Sequence, residues 1–142
     1  MKTFSRILLV IGINILLSAP FANAQQRPDP EFNTVVEQPA FSKNFPRVLF
    51  DEAHNNFHTT TGRYKPFADL ITNDGYHVVR NRKPFTKAGL DTFKILIIAN
   101  ALGAEEDDDE GADRSAFTDE EIQAVHDWVK SGGALLLIAD HA

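Results

Sequence analysis

Apolar residues fall along this chain in two alternating rhythms. Residues 48–50 (VLF), 77–80 (HVVR), 94–99 (KILIIA) and 134–139 (ALLLIA) are short apolar runs rich in β-branched residues and leucine, which reads as strands. Between them lie stretches of helical spacing. Pro66 sits where a first-turn proline is tolerated, Phe67, Leu70 and Ile71 share one face, and Gly75 suits the position just past a helix end. A second helix opens on Thr118, which pairs with Glu121 as a capping box. It carries Ile122, Val125 and Val129 on one face with Trp128 beside them, and stops at Ser131, Gly132 and Gly133. A loop around Pro84 and Gly89 joins the second and third strands.

The alternation of strand and helix predicts an α/β fold: four parallel strands joined by right-handed crossovers into an open, mostly parallel sheet. The expected strand order is about 2-1-3-4. Residues 94–99 are too continuously apolar to leave a wet face, which makes that strand internal. Ligands of open α/β sheets bind outside the carboxyl ends of the strands where the order reverses, here between the first and third strands.

Polar residues collect at that edge. Asp51, Glu52, His54 and Asn55 follow the first strand, Asn100 follows the third, and Asp140 with His141 follows the fourth. These are the candidate ligand-site residues; none carries an assigned catalytic role. Carboxylate and imidazole together suit zinc, so Asp51, His54, Asp140 and His141, with His58 nearby, are the candidate metal ligands, and Glu52 is a candidate base for a metal-bound water. Against zinc stand the lack of a compact H-x-x-x-H helix or H-E-x-x-H motif and the intervening third strand, so the base expectation is no cofactor. The competing reading has Asp51 and His54 hydrogen-bonding the loop backbone at the strand exit.

Two other motifs are weaker. HTTTGR, residues 58–63, leads into the first helix and offers backbone amides to an anion, although hydroxyl-rich turns commonly cap helices without a ligand. The acidic run 105–110 suggests calcium, but with Gly111 at the sixth loop position the twelfth is Phe117, where a bidentate Glu belongs. It reads as a solvated loop. His77 and His126 fall at a strand end and on a helix surface, with no role assigned.

Outside the strands and helices the chain has a different character. Lys2 and Arg6 precede an apolar run over residues 7–17, and Ala22, Asn23 and Ala24 supply a small-x-small cleavage pattern, so residues 1–24 read as a secretory signal peptide. The run is too short for a lasting membrane anchor. Its removal takes the formal net charge from -6 to -8 and leaves an exported, periplasmic or secreted, acidic protein. Residues 25–46, with prolines at 28, 30, 39 and 46, read as an extended leader, and residues 47–142 as the domain. The acidic balance without a basic face excludes nucleic acid as the main partner. The lack of cysteine excludes thiol catalysis and disulfides.

Together, VLFDEAHNNFHTTTGRY, the strand KILIIANAL and FTDEEIQAVHDWVKSGGALLLIADHA resemble the uncharacterised branch of the class I glutamine-amidotransferase-like superfamily, a flavodoxin-like α/β group. The resemblance covers roughly residues 47–142. It implies a D-E-x-H motif closing the first strand and, in catalytic relatives, a cysteine–histidine–glutamate triad. With no cysteine, glutaminase chemistry is not expected here. The resemblance also implies a further helix and strand beyond the fourth strand, so the domain is expected to be partial at its C-terminus, with an exposed sheet edge open to pairing. Three functions follow: a non-catalytic domain binding a small ligand or protein partner at the strand ends, a metal-assisted hydrolase using the Asp/His cluster, or an inactive fragment of a longer protein.

Overall fold

A computed structural model describes residues 27–105 and 110–139. The expected signal peptide, most of the acidic run, and Asp140 and His141 lie outside the described residues. The sheet is formed by β1 (Arg47–Asp51), β2 (His77–Asn81), β3 (Ile95–Ala99) and β4 (Ala134–Ile138), all parallel, in the order β2-β1-β3-β4. Helix α1 (Lys65–Asn73) crosses from β1 to β2, the single turn α2 (Lys87–Leu90) lies between β2 and β3, and α3 (Asp119–Lys130) connects β3 to β4. The α/β class and strand order are those read from the sequence.

Period-two alternation divides the strands between two layers. Val48 and Phe50 with Ile97 and Ala99 face α1, against Phe67 and Ile71. Leu49, Leu96 and Ile98 face α2 and α3, against Leu90 and Trp128. Phe50, Leu90 and Leu96 are completely buried, each stabilising the fold by about 1.5–3 kcal/mol. Because β1 and β3 are covered on both sides, residues 48–50 of β1 and all five of β3 are apolar, as buried parallel strands require.

Local chemistry sets where the helices start and stop. Thr118 and Glu121 close the capping box, Glu121 N donating to Thr118 Oγ1 at 3.3 Å and Thr118 N donating to Glu121 Oε2 at 3.0 Å. Gly75 has φ +94° directly after α1, and an added Cβ would lie 1.9 Å from the carbonyl oxygen of Phe41. That close approach belongs to the leader, which has no helix or strand among its described residues yet is docked: Ala40 N donates to Asp74 Oδ1, Phe41 N to Asp74 O, and the Phe41 ring meets Tyr76 edge-on at 4.9 Å.

Helix α2 stands where the sequence indicated only a loop. One turn shows no apolar period; it is held by the Thr86 cap, which accepts from Gly89 N at 3.1 Å, and by burial of Leu90. β4 is an outer strand, as is β2, and on β4 Leu135, Leu136 and Leu137 are exposed at 39%, 42% and 61%. No helix among the described residues is long and apolar enough to cross a membrane.

Candidate functional site

β1 and β3 both leave the sheet through an asparagine in the left-handed region, Asn55 at φ 48° and Asn100 at φ 45°. Asparagine is among the few residues that tolerate this conformation. The two turns bend the following loops toward each other across the point where strand order reverses. Leu102 N donates to His54 O at 3.0 Å, Phe57 N to Asn100 O at 3.1 Å, Asn55 Nδ2 to Leu102 O and Asn56 Nδ2 to Ala99 O, both at 3.3 Å. The floor of the expected crevice is therefore stitched by the chain itself, and Asn55 and Asn100 act there through their backbones and as loop fasteners.

Beneath these loops lies a buried charge cluster. Asp51 closes β1 fully buried, and His54 Nδ1 lies 3.0 and 2.8 Å from its two carboxylate oxygens. On the other side of the ring, His54 Nε2 lies 2.8 Å from Glu121 Oε1. A carboxylate at each ring nitrogen favours the doubly protonated ring, in which each short contact has an N–H donor. Burial opposes that charge, but hydrogen bonds to Asp51 and then Glu121, together with their negative charge, outweigh it and raise the His54 pKa above its ordinary value. For Glu121, burial favours the neutral form, yet hydrogen bonds from Thr118, His54 and Phe85 lower its pKa to about 2.

The remaining acceptors are also satisfied. Asn81 Nδ2 donates to Asp51 Oδ1 at 3.0 Å, Phe85 N to Glu121 Oε1 at 2.9 Å, and the Thr118 amide and hydroxyl to Glu121 Oε2. The rings of Phe85 and Phe117 flank the imidazole at 4.8 and 4.7 Å and keep water from it. The cluster thus joins the exit of β1, the end of β2, the loop before α2 and the first turn of α3. In the doubly protonated form the ring has no lone pair to accept a proton or bind a metal, and His54 then acts as a clamp between Asp51 and Glu121.

Only part of the candidate zinc set falls among the described residues. Asp51 and His54 are brought together, but they bond each other rather than converge on a third point. His58 turns to the opposite layer, where it packs on Tyr64 at 4.7 Å beside Phe57. Glu52, the candidate base, is engaged elsewhere: its Oε1 accepts from Thr60 N at 2.9 Å and Thr60 Oγ1 at 2.6 Å, and Arg82 approaches its Oε2 at 3.7 Å. Among the described residues no group of three or more His, Asp or Glu side chains is placed to hold a metal. Asp140 and His141 lie outside the described residues.

Within residues 58–63 the amides of Thr60 and Gly62 bond within the chain, as do those of Tyr64 and Lys65 at the start of α1. His77 and His126 are exposed, as read. The residue that sequence reasoning missed is Glu121, legible only as half of a capping box. In parallel α/β topology, however, the start of α3 and the end of β1 lie at the same edge, and that register was the signal available.

In comparisons with known proteins, no family model, no curated protein and no solved structure matched the chain. Sheet order and site together define the class: an open parallel α/β domain whose acid–histidine cluster is closed on itself.

Proposed function

We propose that the chain is an exported, non-catalytic α/β domain of the amidotransferase-like type that binds a small ligand or a protein partner along the carboxyl edge of its sheet. The observation that supports this most is the double engagement of His54 by Asp51 and Glu121, which turns the residues most like catalytic machinery into a structural clamp. With no cysteine in the sequence, no thiol nucleophile stands beside it. The clamp leaves the loop surface above it, around residues 52–60 and 100–103, as the rigidly held platform on which binding would occur. Export rests on the pattern of residues 1–24.

A screen of generic ester, amide and phosphomonoester substrates, with and without added zinc, tests the reading, run beside a small-molecule library mapped by amide chemical shifts. Expected are no turnover and library hits that perturb residues 52–60 and 100–103. Turnover that disappears in His54→Gln overturns the non-catalytic assignment. N-terminal sequencing of the exported product should begin at Gln25, and a mature start at Met1 contradicts export.

A further inference from the structure

Between β2 and α2, apart from the strand-end platform, lies a pocket of about 490 Å³, within the range of small-molecule sites of roughly 300–1,000 Å³. Its floor and walls are apolar: Leu49, Leu90 and Phe93 are buried there, and Phe85 closes one side. The pocket exists because α2 is a single turn, too short to cover the sheet face over the outer strand β2. Its walls are fixed. Asn81 Nδ2 is held by Asp51 Oδ1 and by the carbonyl of Lys83, and the Phe85 amide is held by Glu121.

The mouth is polar, lined by Asn81, Lys83 and Thr86, and Lys83 is the one charged residue in the lining, in a chain of net charge -6. Arg82 is turned toward Glu52, whereas Lys83 lines the pocket and makes no ion pair among the described residues. An exposed lysine among the lining residues of an apolar, pre-formed cavity selects an apolar body ending in an anion. We propose that this pocket binds a medium-chain carboxylate, its hydrocarbon on Leu49, Leu90 and Phe93 and its carboxylate at the Lys83 ammonium.

The test is an amide chemical-shift titration of the full chain with decanoate and, separately, decyltrimethylammonium, on the native protein, Lys83→Glu and the control Lys43→Glu. Lys43 is exposed and outside the pocket, and its replacement makes the same change in net charge. Expected are saturable shifts over residues 81–93 with decanoate, affinity weakened about tenfold or more by Lys83→Glu, as for loss of one partly desolvated charge pair, and little change with Lys43→Glu. The cationic amphiphile should bind at least about tenfold more weakly than decanoate. Absence of saturable decanoate shifts, equal binding of the cation, equal effects of the two variants, or shifts confined to Leu135, Leu136 and Leu137 each overturn the proposal. The amide spectrum of each variant reports folding directly, and none of these outcomes bears on turnover or on the strand-end platform.

Discussion

His54 and Glu121, 67 positions apart in the chain, meet at 2.8 Å in the interior of the domain, and the same histidine reaches Asp51 through its other nitrogen. A cation held between two buried carboxylates is structurally binding only while all three members are present, because each removal leaves charge unpaired in low dielectric. His54→Ala is therefore expected to destabilise the fold by about 3–5 kcal/mol, and Glu121→Gln, which can keep part of the cap, by about 1–3 kcal/mol. Denaturant melts check both. The double variant should cost less than the sum, since the partners share one network.

The clamp also sets a pH window. His54 has a raised pKa in the folded state, so its contribution is fully present below 6.5 and is lost as pH rises through the raised value. Glu121 is lowered to about 2 from its ordinary 4.5, so its contribution is present above 4.5 and is lost as pH falls toward 2. The cluster's contribution should accordingly peak between about pH 4.5 and 6.5 and decline on both sides. Denaturation midpoints measured across pH show this, and the decline above pH 6.5 should flatten in His54→Gln.

Gly75 ties the leader to the domain. Its φ of +94° and the carbonyl oxygen of Phe41, 1.9 Å from where a Cβ would lie, make Gly75→Ala costly by at least about 1–2 kcal/mol. The measurable companion is faster proteolysis at residues 39–46, since the displaced Phe41 gives up its contact with Tyr76.

On β4, Leu137 is 61% exposed on an outer strand that carries no charge between Ala134 and Ile138. Such an edge pairs readily with another strand. Leu137→Lys should leave stability within about 0.5 kcal/mol while reducing concentration-dependent association measured by light scattering.

Most of the fold was legible because the chain's two apolar periods are clean. Val48, Phe50 and the run Ile95 to Ala99 could be buried only in a sheet covered on both sides, and the order of elements then left few topologies. Helix α2 was not legible, since a single turn closed by Thr86 and Leu90 produces no period. At the site, Asp51 and His54 were recognisable as a pair of reactive types at a strand exit. Their spacing could not say whether they reach out to a ligand or close on each other, because the deciding contact comes from Glu121. That glutamate carried a sufficient local explanation in its cap to Thr118, which uses only one of its two oxygens.

The protonation of His54 tests the central claim most directly. Nitrogen and proton resonances of the ring, recorded from pH 5 to 9 on the native protein with and without one equivalent of zinc, report which nitrogens carry protons. Expected is an imidazolium with both Nδ1 and Nε2 protonated at pH 6.5, persisting above the ordinary histidine pKa of about 6.5 and indifferent to zinc. A neutral ring at pH 6.5 with one bare nitrogen that shifts when zinc is added would contradict the clamp and restore His54 as a ligand.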